Sequence, residues 1–134
     1  MLDASVALRW FLDASPPAYA VRVQNLLLSG TQALVPGLWH LEVANALVVA
    51  ERRRSLDASG LDRCLLRIDQ LLSIAIQTDS EFLSARQASK VVRSLGLSVY
   101  DATYLLLAER KGLPLATLDH ELSLAARASG IEIV

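Results

Sequence analysis

Short apolar runs alternate with longer amphipathic ones along this chain, and no other feature constrains its fold as much. "ALVP" (Ala33 to Pro36), "SIAIQT" (Ser73 to Thr78), "PLATLD" (Pro114 to Asp119) and "IEIV" (Ile131 to Val134) read as short buried strands. Met1 to Asp3 reads as the tail of another. Between them lie segments with helical spacing. Ser5 opens a helix through Val6, Leu8 and Phe11, and "SPP" at Ser15 to Pro17 breaks it. Ala18 to Leu28 follows and ends at Ser29 and Gly30. Leu38 to Arg54 is a long helix. Leu61 to Leu72 is another, with Leu61, Leu65, Ile68 and Leu72 on one face. Thr78 and Glu81 have capping-box spacing before a helix that runs to Leu95 and stops at Gly96. Val99 to Lys111 ends at Gly112, and "HELSLAARAS" gives the last helix. Strand and helix in alternation predict an α/β fold, a mainly parallel sheet with helices on both faces.

The chain has 134 residues, 53% of them hydrophobic and 20% charged. That is enough for one domain, residues 1–134, with a substantial core. No repeat or long linker divides it. The net charge of −1 excludes a protein that coats nucleic acid through bulk positive charge, but leaves a local grip open. Cys64 is alone, so no internal disulfide forms; among Leu65, Leu66 and Ile68 it reads as a core thiol. The opening "MLDASVAL" has no basic segment before an apolar run, and no apolar stretch reaches membrane-spanning length. A cytoplasmic location is the expectation.

Carboxylates in apolar surroundings carry the chemistry. Asp3 ends the first strand and Asp119 ends "PLATLD", so a parallel sheet puts both at one edge, where ligands collect. Asp101 heads the almost entirely apolar helix of "SVYDATYLLLAERKG". Glu42 is the only charged residue between Val35 and Ala50. Each has a plainer role available. Asp101 has capping-box spacing with Ser98, Asp119 is placed to cap the next helix, Asp3 suits a turn, and Glu42 suits a polar stripe. An aspartate can also cap with one oxygen and bind a ligand with the other. If the acids meet, each pair about 5 Å apart repels by roughly 3 kcal/mol at an effective dielectric of about 20. Such a cluster takes up protons or holds a cation. Oxygen donors without paired histidines or cysteines favour Mg²⁺ or Mn²⁺, and open carboxylate cages suit phosphodiester hydrolysis.

"LDASVALRWFL", "VPGLWHLEVANAL", "LSVYDATYLLLAERKGLPLATLDHEL" and the closing "IEIV", in that order, resemble the PIN-domain ribonucleases, and among them the VapC-type toxins of toxin–antitoxin pairs. The resemblance covers nearly the whole chain. It implies a PIN-like three-layer α/β/α fold with a short-stranded, mainly parallel sheet. It implies a Mg²⁺- or Mn²⁺-dependent endoribonuclease whose acidic quartet, catalytic and metal-binding, falls on Asp3, Glu42, Asp101 and Asp119. Thr117 matches the family's small hydroxyl residue before the last acid, and Ser5 and Asn45 fit the pattern around the site. The implied partners are an RNA substrate, a cognate antitoxin, a second copy in a homodimer, and operator DNA reached only through the antitoxin. Met1 and Leu2 are fewer residues than the family usually places before its first acid; a frayed first strand or an upstream start would each account for this. Some relatives carry a further acid where His120 and Glu121 stand; surface roles are expected for both here.

Arg52, Arg53 and Arg54 suit a helix C-terminus, with phosphate gripping as the sharper alternative. Arg9, one turn beyond Ser5, is a candidate for the groove rim. His40 and His120 lack ligand spacing. Trp10, Phe11 and Trp39 are expected in the core or at a partner surface. Three rivals stand beside the nuclease. One is an inactive PIN-like binding module. Another is a receiver-type phosphoacceptor, which would need a paired acid and a strand lysine that are missing. The last is a metal phosphatase, for which "DAS" lacks a second aspartate.

Overall fold

The computed structural model describes residues 1–81 and 83–134. Its chain alternates helix and strand in the order α1 (Ala4–Leu12), α2 (Ala18–Leu28), β1 (Ala33–Pro36), α3 (Leu38–Arg52), α4 (Ala58–Ile74), β2 (Ile76–Asp79), α5 (Ala85–Leu95), α6 (Val99–Lys111) and α7 (His120–Ala128). The strands β1 and β2 pair in parallel, with Ala33 opposite Ile76 and Pro36 opposite Asp79. The Leu2 N–H donates to the Leu34 carbonyl at 3.0 Å. Isolated parallel bridges join Leu2 to Ala116 and Leu115 to Ile133. These contacts set β2, β1, Leu2, Leu115–Ala116 and Ile133 side by side, with the β1–β2, Leu2–Ala116 and Leu115–Ile133 pairings parallel. This is the α/β arrangement expected from the sequence, with a sheet even shorter than its apolar runs suggest.

Where the expectation and the structure differ, a competing hydrogen bond is the reason. "PLATLD" contributes only Leu115 and Ala116 to the sheet, because the backbone N–H groups of Leu118 and Asp119 go instead to the hydroxyls of Ser5 and Thr117. The helix expected from Leu61 begins earlier, at Ala58, because the Asp57 carboxylate accepts the Gly60 N–H at 2.6 Å. It also runs on through Ser73 and Ile74, which leaves Ile76 to Asp79 for β2. Thr78 and Glu81 do not cap α5. Ser84 and Gln87 form that box instead, with the Gln87 N–H on Ser84 Oγ and the Ser84 N–H on Gln87 Oε1. Thr78 stays in β2, with its hydroxyl 2.8 Å from His40 Nε2. Glu81 pairs with Arg110 and Lys111 of α6. Phe82, inside the expected helix start, lies outside the described residues.

One apolar core joins α1–α4, α6 and α7 to the sheet. The α3 residues Trp39, Val43 and Leu47 recur every fourth position and are essentially fully buried. Trp10 and Phe11 of α1 are buried with them, so none of these three rings is free to stack on a ligand. Cys64 is a buried free thiol close to the Phe11 carbonyl. Among the described residues, no single helix is long and apolar enough to cross a membrane.

The two faces of α3 give a test of this packing. Leu47 is 0% exposed and Leu41 is 73% exposed. Leu47→Ala should destabilise by about 2–5 kcal/mol in urea titration, the usual cost of a core cavity. Leu41→Ala should change stability by less than about 0.5 kcal/mol, as at other surface positions.

Candidate active site

Asp3 sits at the junction of the sheet and α1, whose N-cap it is. Its side chain is buried although it is an acid. Oδ2 accepts two hydroxyl hydrogen bonds, from Ser5 Oγ at 2.5 Å and from Thr117 Oγ1 at 2.6 Å. Both hydroxyls are used a second time. Ser5 Oγ accepts the Leu118 N–H and Thr117 Oγ1 accepts the Asp119 N–H, each at 3.0 Å. This closed network ties the start of α1 to the segment before α7, although 114 residues separate Asp3 from Thr117. Burial still dominates: desolvation lifts the Asp3 carboxyl above its ordinary range, against the hydroxyl bonds that pull it down.

Glu42 approaches from α3 and Asp101 from the first turn of α6. The Tyr104 hydroxyl, from the fully buried ring one turn beyond Asp101, donates to Glu42 Oε2. Glu42 is raised by desolvation first, then by the nearby charges of Asp3 and Asp101; the Tyr104 bond opposes this. The phenol itself is driven upward by burial and by Glu42, so it stays a donor. Ser98 Oγ accepts the Asp101 N–H at 3.1 Å and donates to Asp101 Oδ2 at 2.6 Å, which fixes that carboxylate at the helix head.

Three of the four acids thus share one electrostatic neighbourhood. Asp119 stands apart: it is exposed, and its Oδ1 accepts the Leu122 N–H at 2.7 Å as the α7 N-cap. Its link to the others runs through its own N–H and Thr117. As placed, no three histidine, cysteine, aspartate or glutamate side chains among the described residues converge closely enough to hold one ion. Drawing the acids onto a common cation therefore requires side-chain movement. The donor set otherwise fits a hard divalent ion. All donors are oxygens, hydroxyls engage one oxygen each of Asp3, Glu42 and Asp101, a backbone N–H engages one of Asp119, and no ion pair neutralises these four among the described residues.

The remaining sequence candidates fall around this centre. Asn45 is exposed on α3, one turn beyond Glu42. Arg9 lines a pocket of about 330 Å³ with Ser5, Leu8, Leu12 and Asp13, and forms an exposed pair with Asp13. Arg52, Arg53 and Arg54 lie at the far end of α3, about 15 Å along the axis from Glu42 at the helical rise, and the fold does not bring them to the acids. His40 faces Thr78 and not the carboxylates. His120 and Glu121 are exposed in the first turn of α7. Tyr104 is the residue that sequence reasoning missed. Its signal was present, since Asp101 and Tyr104 are three apart and share a helix face.

The sequence profile of the PIN domain family matches residues 1–128, and the chain belongs to that family. The chain is also similar in structure to PAE2754 from Pyrobaculum aerophilum, known from a crystal structure. The two are 26% identical, with a TM-score of 0.65 over 96% of this chain and 93% of that one. No curated protein matches it. PIN domains are generally nucleases, and they generally use divalent metals.

Two outcomes follow from this geometry. Tyr104→Phe keeps the buried ring but frees Glu42, and should lower metal affinity or activity by about 10- to 100-fold, as loss of a ligand-orienting partner does. Asp3→Asn should raise the thermal midpoint of the metal-free protein at neutral pH. A raised carboxyl binds its proton more tightly folded than unfolded. Its stabilisation is complete below the unfolded value of 3.8 and is lost as pH rises through the folded value. The gain from the amide should therefore shrink towards zero in melts below that unfolded value.

Proposed function

We propose that this chain is a Mg²⁺- or Mn²⁺-dependent endoribonuclease that hydrolyses RNA phosphodiester bonds as the VapC-type toxin of a toxin–antitoxin pair. The observation that carries the reading is the gathering of Asp3, Glu42 and Asp101, from three separate elements, into one field in which, among the described residues, no ion pair balances them. Evenly spread acids would cost less in a folded protein, and a bound divalent cation would offset the cost here. Family membership and the four-part sequence resemblance support the same reading and weigh against the receiver-type alternative.

In this scheme Asp3, Glu42 and Asp101 would hold the cation, with Asp119 at the rim, and a divalent ion held there would lower the pKa of water and offset charge on the leaving oxygen. The chain's own residues set the geometry. Ser5 and Thr117 aim Asp3, Tyr104 aims Glu42, and Ser98 aims Asp101. Arg9, which lines a pocket with Ser5, would exchange its exposed pairing with Asp13 for a substrate phosphate. A strand reaching Arg52, Arg53 and Arg54 would run along α3, away from the acids. No side chain acts as a covalent nucleophile. The partners in this reading are RNA, a cognate antitoxin, a second copy in a homodimer, and operator DNA through the antitoxin, with the protein acting in the cytoplasm.

One alternative is an inactive PIN-like binding module, since no three acidic, histidine or cysteine side chains among the described residues converge on one point. Cleavage of a mixed RNA pool by the purified protein separates the two. EDTA should abolish cleavage and added Mg²⁺ or Mn²⁺ should restore it. Asp101→Asn should lose activity by about 100-fold or more with an unchanged circular dichroism spectrum. Cleavage indifferent to chelation or to this substitution would refute the metal mechanism; a folded wild-type protein without cleavage would support the binding module.

A further inference from the structure

The stripe Leu38, Leu41, Glu42 and Asn45 on α3 has i, i+3, i+4, i+7 spacing; Leu41 and Asn45 are exposed, away from the core stripe of Trp39, Val43 and Leu47, while Leu38 is half-buried at its edge and packs against the core. Across from it stands Tyr100, the second residue of α6 and the neighbour of Asp101. Together these five residues line an open groove of about 350 Å³. Its apolar walls are unusually exposed: Leu41 is 73% and Tyr100 63% open to solvent. The Tyr100 hydroxyl makes no hydrogen bond among the described residues, and the ring takes no part in the buried core. Neither side chain is held there by the needs of folding.

The groove is continuous with the acids, because Glu42 belongs to both. Its chemistry differs from that of the Arg9 pocket beside Ser5. No lysine or arginine lines it, so it does not suit a phosphate. It offers one aromatic face, two leucines and a single amide that both donates and accepts. Those are the features that receive a flat heterocycle with a polar edge. A groove of this volume with a carboxylate at its end suits one ring system better than the apolar face of a partner helix.

We propose that Tyr100 and Leu41 form a stacking shelf for an unpaired base next to the scissile phosphate, with the Asn45 amide on the base edge. This rests on the nuclease reading for the phosphate's position, and it names the part of the substrate that the acids cannot bind. A base in the shelf is out of its stack, so the substrate is single-stranded at that nucleotide. Tyr100 is then a specificity-determining residue, and its contribution falls on binding rather than on the reaction at phosphorus.

The test measures binding without cleavage. Fluorescence anisotropy of a labelled oligoadenylate, with Ca²⁺ in place of Mg²⁺, compares wild type, Tyr100→Ala, Tyr100→Phe and Tyr100→Trp. An abasic ribose–phosphate strand of equal length is the second probe. Tyr100→Ala should weaken oligoadenylate binding by roughly 5- to 150-fold, the range for loss of one base–aromatic stack. The Phe and Trp variants should bind as wild type does. The abasic strand should bind weakly to all four alike. In Mg²⁺, Tyr100→Ala should raise KM by a similar factor and leave kcat within about twofold. Unchanged adenylate binding by Tyr100→Ala, no binding by wild type, or equal losses for the abasic strand would each overturn the shelf. So would self-association in sedimentation that Tyr100→Ala abolishes while strand binding is unchanged, since the groove would then join two copies. Tyr100-dependent binding without any cleavage would keep the shelf and refute the nuclease reading.

Discussion

The buried Asp3 carboxylate is the constraint around which the site is built. An acid at the end of a central strand is expensive to bury, and two hydroxyls and a helix start reduce that expense without removing it. Each hydroxyl also satisfies a backbone N–H in the segment between the sheet and α7. The network that tolerates the charge is therefore the network that holds the chain ends of two parallel segments together. A group that costs stability where it stands, and around which so many polar atoms are arranged, is better explained by a ligand than by packing.

The same logic orders the second rank of residues. Tyr104 is buried for packing and polar at its tip, and its tip reaches Glu42. Ser98 begins α6 and at the same time orients Asp101. Capping and site-building use the same atoms, so the plain and the chemical readings of these acids are compatible. Asp119 is the exception. Its capping bond points one oxygen into α7, and only its backbone joins the Asp3 network. The edge of the sheet thus carries three acids that feel one another's charge and a fourth held apart, with a pocket lined by Arg9 beside Ser5 and a groove lined by Tyr100 beside Glu42.

Much of this was legible in the residues. Apolar runs of about four residues between helical periods gave the α/β order, and the glycines at Gly96 and Gly112 marked helix ends in the left-handed conformation. The candidate acids stood out because each interrupts an apolar segment. The α5 cap was read wrongly because two hydroxyl–acid or hydroxyl–amide spacings lie within ten residues of each other. Local spacing cannot rank them; Thr78 was claimed by its parallel partner Val35 and by His40, which come from elsewhere in the chain.

By itself, then, the sequence determined the alternating elements, the apolar core stripe of α3 and the identity of the acids, because periodicity and charge are local properties of a chain. Only the tertiary structure decided which acids act on one another, that Tyr104 serves Glu42, that Asp119 stays apart from the other three acids, and that Tyr100 overlooks a groove. Those depend on through-space distances between segments up to 114 residues apart. Electrostatic coupling and burial follow distance in space, which no spacing along the chain encodes.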